Sequence, residues 1–281
     1  MRDYLLTLRC ENRPGIVAAV ASQLAAHGGD ITEAQQFDDR ETGRFFMRVA
    51  FTMSRSVDDF AGRFAEEVRR FDLKWTLRPA NQLRKVLILV SKFDHCLVDL
   101  IYRRQIGELP MDLVGIVSNH PREALNLSHD ADIPFHHFAI SGDAKTEQEN
   151  RIRTVIEDSG AELVVLARYM QILSDDFSAY LSGRCINIHH SFLPGFKGAK
   201  PYHQAYERGV KMIGATAHYV TEDLDEGPII SQDVEHVTHA DSPDDLVRKG
   251  RDIERRVLAR AVTFHLQDRV LLNGRKTVIF A

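Results

Sequence analysis

The chain lacks the features that mark secreted, disulfide-bonded or membrane proteins. Its 281 residues include only three cysteines, Cys10, Cys96 and Cys185. Because they are odd in number and far apart, they indicate neither a disulfide framework nor a cysteine metal cluster. The longest apolar runs, such as Val86 to Val90, are too short to cross a bilayer. The opening Met-Arg-Asp-Tyr has no apolar signal core, so we expect a cytoplasmic location and no membrane partner.

The chain also lacks an excess of positive charge. Its formal net charge is −4, with 27% charged and 44% hydrophobic residues. A nucleic-acid-binding surface is normally basic, so we expect no nucleic-acid partner. The composition is that of an ordinary globular protein, and the length allows either one large domain or two smaller ones.

The first part of the chain predicts a small α/β domain, in which helices and strands follow the order βαββαβ. Helix one carries apolar residues at helical spacing between Ile16 and Leu24, and helix two carries Phe60, Phe64 and Phe71 on one face. The order is that of the ferredoxin-like plan. The remaining elements are predicted as strands over residues 3–9, 31–37, 44–53 and 73–77.

From Lys85 the pattern changes to strands and helices in alternation. The continuous apolar strand 86–90 is typical of a parallel sheet that is covered on both faces. This predicts a Rossmann-like domain with an open, mostly parallel sheet, whose ligands bind beyond the carboxyl ends of the strands. We therefore divide the chain into a first domain over 1–80, a linker over 81–84 and a second domain over 85–281. The elements predicted in the second domain are helices over 95–106, 121–129 and 146–159, strands over 112–118, 133–138, 162–167, 212–219 and 228–234, and a long helix from Ser242.

Two polar residues stand together where one buried strand ends. Side chains alternate along a strand, so Asn187 and His189 point to the same side, while Ile188 points into the core. Pro194 prevents the strand from continuing. Asp225 comes later, before a Gly-Pro turn, and a carboxylate that reached His189 would raise its basicity and fix its tautomer. These groups suit acyl transfer without a serine or cysteine nucleophile.

A plainer interpretation stays open for these residues. His189 could cap the end of the strand, and Asp225 could serve the turn that follows it. The other histidines lack the spacing of known zinc sites, so we expect no metal and give them structural or surface roles, with His203 a candidate for the mouth of the pocket. Those histidines are His136, His137, His203, His218, His236 and His239.

The motifs around these residues resemble the folate-dependent formyltransferases. The resemblance rests on Asn-x-His, on His-x-Ser-x-Leu-Pro, which overlaps it, and on Leu-Asp-x-Gly-Pro around Asp225. It implies catalytic roles for Asn187, His189 and Asp225, and 10-formyltetrahydrofolate as the substrate, with no separate cofactor. The resemblance further implies folate binding by the segment after strand 162–167, which contains Arg168, Met170, Gln171, Ile172 and Leu173.

The loop after the first strand of this domain bears on which molecule accepts the formyl group. Family members that formylate a ribonucleotide hold its phosphate with a glycine-rich loop and a helix N-terminus. Residues 91–97 contain no glycine, and Asp94 would repel a phosphate. Together with the His189-His190 pair and the stretch 208–220, this loop resembles the formyltetrahydrofolate deformylases. That resemblance implies hydrolysis to tetrahydrofolate and formate, which supplies formate for purine synthesis and balances one-carbon pools.

The start of the chain resembles an ACT domain. The resemblance rests on Asn-Arg-Pro-Gly-Ile-Val at 12–17 and on the Gly-Gly-Asp-Ile strand that follows helix one. It implies an amino-acid effector, with glycine or methionine tried first, at Pro14, Gly15 and Ile16. It also implies a homo-oligomer assembled through the ACT domains. Ferredoxin-like modules can also serve only as assembly surfaces, so sensing and bare assembly both stay open.

Two rival functions remain at this point. One is a formyltransferase that uses an unrecognised amine acceptor, which release of formate without an added amine would exclude. The other is a non-catalytic sensor, in which the first domain binds an amino acid and the second only binds folate. Asn187, His189 and Asp225 argue against a sensor, because a sensor needs no oxyanion donors.

Overall fold

The computed structural model of the protein describes residues 2–127, 132–139, 145–193 and 201–281, so Pro194 lies outside it. Tertiary contacts divide the chain into two compact units. The first contains the chain up to Gln82 together with 267–273 and 278–281, and the second contains 83–266 and 274–277. The sequence assigned all of 85–281 to the second domain, whereas in the structure the segment from Gln267 is divided between the units.

The first unit has the predicted order of elements. Its strands are β1 (Arg2–Glu11), β2 (Gly29–Asp39), β3 (Arg44–Met53) and β4 (Lys74–Pro79), and its helices are α1 (Ile16–Ala26) and α2 (Val57–Phe71). The strands form an antiparallel sheet in the order β2-β3-β1-β4. The ferredoxin-like prediction is therefore confirmed.

Helix α2 shows why this sequence packs as it does. Ser56 begins the helix, because its side chain accepts a hydrogen bond from the Asp59 amide. Phe60 and Phe64 are four residues apart and lie on one face, where both are fully buried. Their rings stack with centroids 5.3 Å apart. The helix therefore packs through the face that its sequence pattern predicts.

The second unit alternates helices and strands. Its elements in chain order are β5 (Arg84–Val90), α3 (His95–Gln105), β6 (Met111–Ser118), β7 (Phe135–His137), α4 (Lys145–Ser159), β8 (Leu163–Leu166), α5 (Asp175–Tyr180), β9 (Cys185–His189), α6 (Pro201–Glu207), β10 (Met212–Tyr219), β11 (Ile229–His236) and α7 (Pro243–Leu266).

The seven strands form one sheet in the order β11-β10-β9-β8-β5-β6-β7. The pairs from β9 to β7 are parallel, whereas β10 and β11 are antiparallel to their neighbours. The chain leaves β5 for β6 on one side and returns to β8 on the other. The carboxyl ends of β5 and β8 thus border a topological switch point, which is where ligands bind in such sheets. The predicted Rossmann-like sheet is confirmed.

One predicted helix is wrong. In place of a helix over 121–129, residues Arg122–Ala124 form a single 3-10 turn, and residues 128–129 lie outside the described residues. Leu125 and Leu127 are both buried, a spacing of two that suits extended chain and not a helix. The amide of Asn126 between them donates to Asp94. The short helices α5 and α6 were not predicted.

A C-terminal hairpin that was not predicted completes the first unit. It consists of β12 (Val270–Asn273) and β13 (Lys276–Ile279). Leu271 and Phe280 pack on Phe46, which is fully buried in the sheet. The Asn273 amide donates to the Asp39 carboxylate at 2.6 Å. Residues from the end of the chain therefore cover part of the N-terminal core.

Two helical glycines give a matched test of how helix α6 packs on helix α7. A methyl group on Gly250 of α7 would run into the ring of Tyr202, whereas one on Gly62 of α2 would meet nothing within 4 Å. We expect Gly250→Ala to destabilise the protein by about 1–3 kcal/mol, because overpacking outweighs the better helix propensity of alanine. Gly62→Ala should stabilise it by about 0.5–1 kcal/mol. Chemical denaturation of both variants measures the difference, and equal effects would contradict the described packing of α6 on α7.

Candidate active site

Strand β9 positions two of the candidate residues. It pairs in parallel with β8, where Leu166 is opposite Asn187, and antiparallel with β10, where Thr216 is opposite His189. Asn187 and His189 both line a cavity of about 470 Å³ at the carboxyl end of β9. His189 is buried. The two side chains therefore share one face of the strand and one cavity.

The loop between β10 and β11 carries Asp225. Its backbone is left-handed there, with a φ of 58°. A side chain at Gly227 would collide with the carbonyl oxygen of Tyr219, so only glycine fits. The Tyr219 amide also donates to the Pro228 carbonyl at 2.9 Å. The Asp-x-Gly-Pro sequence thus holds the loop close against β10 and fixes the backbone of Asp225.

The Asp225 carboxylate lies between two imidazoles. Its Oδ2 is 3.2 Å from His189 Nδ1, and its Oδ1 is 3.6 Å from His218 Nε2. Burial alone would raise the pKa of Asp225, but hydrogen bonds and positive charge from His189 and His218 hold that pKa well below its ordinary value. Asp225 is therefore a stable carboxylate that can accept a hydrogen bond from His189 Nδ1.

The other nitrogen of His189 is available to a ligand. His189 Nε2 is buried and has no hydrogen-bond partner among the described residues. A buried polar atom without a partner is costly in a folded protein. Because Asp225 holds Nδ1, Nε2 can direct a proton into the cavity, beside the Asn187 amide. The pair can thus donate two hydrogen bonds to a carbonyl oxygen.

His218 belongs to this site, which corrects the structural or surface role expected for it. It pairs with Asn187 across β9 and β10, and its Nε2 lies 3.3 Å from Asn187 Nδ2. Its Nδ1 lies 2.9 Å from the Tyr219 carbonyl. The contact between Nδ1 and the Tyr219 carbonyl holds the ring beside both the Asn187 amide and the Asp225 carboxylate. The sequence signal was weak, because only the strand register brings the two residues together.

The segment after β8 lines the same cavity, as the folate-binding prediction requires of its position. Met170 and Ile172 are 51% and 64% exposed, which is unusual for large apolar side chains grouped at one cavity. The Met170 amide donates to Ser91 Oγ at 2.9 Å. All five residues predicted to bind folate line the cavity: Arg168, Met170, Gln171, Ile172 and Leu173.

The loop after β5 offers no cradle for a phosphate. Asp94 precedes α3, and its Oδ2 accepts hydrogen bonds from the backbone and side-chain nitrogens of Asn126, at 2.6 and 2.9 Å. The carboxylate makes no hydrogen bond to the first amides of α3, but its negative charge beside the start of the helix disfavours a bound anion there. The structure thus places a negative charge where the sequence analysis expected one.

A buried polar cluster lies at the switch point between β5 and β8. Glu254 accepts hydrogen bonds from His95 Nε2 at 2.8 Å and from the Tyr202 hydroxyl at 2.7 Å. Arg168 Nε lies 3.4 Å from the same carboxylate. Although burial opposes it, the hydrogen bond from His95 and the charge of Arg168 lower the pKa of Glu254. The cluster is a fixed anion surrounded by donors.

One group of side chains in the described part of the chain has the spacing to hold a metal. Ligand atoms of His95, Cys96 and Glu254 lie within 4.8 Å of one another. Burial raises the pKa of Cys96 well above its usual value, which disfavours the thiolate that metals bind. Arg168 already places a positive charge beside Glu254. These residues therefore form a hydrogen-bonded cluster that fits a metal ion poorly.

His190 lines the cavity next to His189. Its ring stacks on that of His189 with centroids 5.1 Å apart. Burial, assisted by the charges of Arg168 and His189, lowers the pKa of His190 to about 4, so it is neutral near pH 7. His203 is exposed on α6 and is not among the residues that line this cavity. His137, His236 and His239 are also exposed.

The N-terminal unit has a separate cavity at the predicted effector position. Its volume is about 460 Å³, and its lining includes Asn12, Arg13, Gly15 and Ile16. Gly15 precedes α1 with a φ of 95°, a conformation that favours glycine. Gly15 and Ile16 of the predicted effector site thus line this cavity together with Arg13, whereas Pro14 is not among its lining residues. In the described ranges, no helix is long and apolar enough to span a membrane.

Comparison with known proteins identifies both units. Residues 84–262 match the Formyl transferase family and residues 4–63 match the ACT domain family. The chain is 51% identical to the formyltetrahydrofolate deformylase of Corynebacterium sp. (strain P-1), over 98% of this chain and 97% of that protein.

Solved structures give the same picture. The crystal structure of a formyltetrahydrofolate deformylase from Burkholderia mallei has a TM-score of 0.96 at 52% identity, covering 100% of both chains. Glycinamide ribonucleotide transformylase 1 from Symbiobacterium toebii has a TM-score of 0.65 at 27% identity, over 71% of this chain and 95% of that one. The transformylase likeness thus covers only part of this chain, whereas the deformylase likeness extends over its full length. The chain belongs to the formyltetrahydrofolate deformylase family, with an ACT domain and a formyl transferase domain.

Proposed function

We propose that the protein hydrolyses 10-formyltetrahydrofolate to tetrahydrofolate and formate. The observation that carries this proposal is the His189–Asp225 pair beside Asn187, in a cavity that also contains the 168–173 segment. The deformylase relatives support it. The reaction needs no cofactor, because the folate is both the substrate and the formyl donor.

Asn187 and His189 would stabilise the oxyanion. Water adds to the formyl carbon, and the carbonyl electron pair moves onto the formyl oxygen. The Asn187 amide and His189 Nε2 donate to that oxygen, and each such preorganised donor contributes roughly 3 kcal/mol. The low pKa of Asp225 favours its role as the anion that keeps His189 protonated over that of a strong base. His218 would position Asn187.

Collapse of the intermediate completes the reaction. The bond between the formyl carbon and N10 breaks, and its electron pair goes to N10. His189 gives its Nε2 proton to N10, and the proton that the water lost then restores the protonated His189, so that Asp225 stays an anion throughout. The products are tetrahydrofolate and formic acid, which ionises to formate. No covalent enzyme intermediate is needed, and burial raises the pKa of the nearby Cys185 thiol, which disfavours it as a nucleophile.

The folate would bind along the 168–173 segment. Backbone groups there can form hydrogen bonds with the polar edge of the pterin, while Met170, Ile172 and Leu173 provide an apolar wall. Leu224 lies across the cavity and is 56% exposed. Covering these apolar side chains with an aromatic ligand would contribute favourable burial.

The absence of a phosphate cradle favours water over a ribonucleotide as the acceptor. Asp94 is a fixed carboxylate at the start of α3, and residues 91–97 have no glycine.

We further propose a cytoplasmic location and a supply of formate for purine synthesis. A homo-oligomer through the ACT domains is consistent with Ile31 and Phe37, which are exposed on the edge strand β2.

Substitution of the two charged partners tests the mechanism. We expect Asp225→Asn and His189→Ala each to lower kcat by about 10²-fold or more with little change in KM, because the lost interactions form in the transition state. The measurement is formate release from 10-formyltetrahydrofolate without an added amine. His239→Ala, which alters an exposed histidine, is the matched control and should keep full activity. Losses below about tenfold in both variants would reject the assignment.

The ACT domain would sense an amino acid tied to the one-carbon pool, at Pro14, Gly15 and Ile16. We expect glycine or methionine to shift the activity of the full-length protein, with a coupling of about 1–3 kcal/mol. A methyl group on Gly15 would crowd the approach to the amides of α1, so Gly15→Ala should weaken the response. Gly43→Ala is the control, since Gly43 also has a positive φ but nothing within 4 Å. If no amino acid changes activity or binds, the domain serves assembly only.

A further inference from the structure

Arg168 is a buried cation with unused hydrogen-bonding capacity. Its side chain is only 10% exposed, yet Nε and Nη1 have no hydrogen-bond partner among the described residues. Its backbone is left-handed, with a φ of 64°, a conformation that is unfavourable for a residue other than glycine. A buried guanidinium normally has its donors satisfied. Strain and unused donors at one residue indicate a ligand.

Glu254 fixes the guanidinium without using up its donors. Its carboxylate already accepts from His95 and Tyr202 and lies 3.4 Å from Arg168 Nε, a distance that makes an ion pair but no aligned hydrogen bond. The negative charge offsets the cost of burying the cation. The Arg168 side chain is thus held in place, while Nε and Nη1 keep N–H groups that no described residue accepts.

Arg168 lines the same cavity as the catalytic residues. Leu166 of β8 pairs with Asn187 of β9, and Arg168 and His189 each follow two residues later. Neighbouring strands are about 4.8 Å apart, so the two residues leave the sheet side by side. Both line the cavity, and His190 lies within the electrostatic influence of both. Arg168 therefore lies beside His189 at the ends of two neighbouring strands, on the β8 side of the proposed reacting centre.

We propose that Arg168 forms a binding site for a small carboxylate, the formate product, and for the water-derived oxygen that becomes part of it. This rests on the proposed hydrolysis. Asn187 and His189 would hold the oxygen that comes from the formyl group, while Arg168 holds the oxygen that comes from water. A guanidinium has a fixed positive charge and several donors, which suits the carboxylate oxygen that faces it.

The same geometry explains why water suits this site better than an amine. Arginine has only hydrogen-bond donors. A nucleophile that it holds must therefore use one of its lone pairs to accept a hydrogen bond. Water has two lone pairs and can accept from Arg168 while it attacks the formyl carbon. A neutral amine has one lone pair, and an amine held by Arg168 would have none left to attack. A cationic acceptor would in addition be repelled.

Product inhibition tests the proposal on the full-length protein. Formate is added to the hydrolysis assay, with sodium chloride at the same ionic strength as the reference. We expect Arg168→Gln to raise the inhibition constant for formate by about tenfold or more, as for the loss of a charge-assisted pair. Arg168→Lys keeps the positive charge but loses the planar set of donors. Its inhibition constant for formate should lie between those of the wild type and Arg168→Gln. Arg256→Gln, an exposed arginine on α7, is the control and should match the wild type.

Two additions keep the test decisive. Because Arg168→Gln leaves Glu254 without its cation and could impair folding, the double variant Arg168→Gln/Glu254→Gln removes both charges and should show the same loss of inhibition. Binding of isotope-labelled formate, followed by NMR line broadening in the presence of tetrahydrofolate, reads the site without turnover and so separates this proposal from the proposed function. Unchanged formate inhibition and binding in Arg168→Gln, or no effect of formate on the wild type, would overturn it.

Discussion

The catalytic arrangement depends on the position of one carboxylate. Asp225 lies between His189 and His218, and each of the three is fixed by a different constraint. The register of β9 and β10 places His218 opposite Asn187, which lies two residues before His189 on β9. The contact of Gly227 with the Tyr219 carbonyl fixes the loop, and the left-handed backbone at Asp225 turns its side chain back onto the strand ends. The low pKa of Asp225 follows from this geometry, and so does the orphan Nε2 of His189.

The formyl transferase domain separates its two tasks across the sheet. In the proposed mechanism, residues at the ends of β9 and β10 act on the formyl oxygen, whereas the ends of β5 and β8 border the place that the acceptor would occupy. In this chain that second place contains buried side chains, with Glu254 holding Arg168, and a carboxylate at the start of α3. A fold shared with ribonucleotide transformylases can thus favour water through a few side chains, without a change in its sheet.

Much of this architecture could be predicted because short stretches of the sequence determine it. The helix over 57–71 has strong apolar periodicity, the strand over 86–90 is a continuous apolar run, and the family motifs contain Asn187, His189 and Asp225. Other features depend on partners distant in the sequence. His218 acquires its role only through the β9–β10 register, and the C-terminal hairpin is stable only against Phe46. The helix predicted over 121–129 failed because Asn126 is held extended by Asp94, a contact that periodicity cannot reveal.

The most direct test of the account is a competition between water and an amine for the formyl group. The protein would be given 10-formyltetrahydrofolate with and without glycinamide ribonucleotide, and formate, tetrahydrofolate and formylated ribonucleotide would all be quantified. The account predicts one formate for each tetrahydrofolate under both conditions and no formylated ribonucleotide. Ribonucleotide-dependent transfer that competes with formate release would contradict it and would make this chain a transferase.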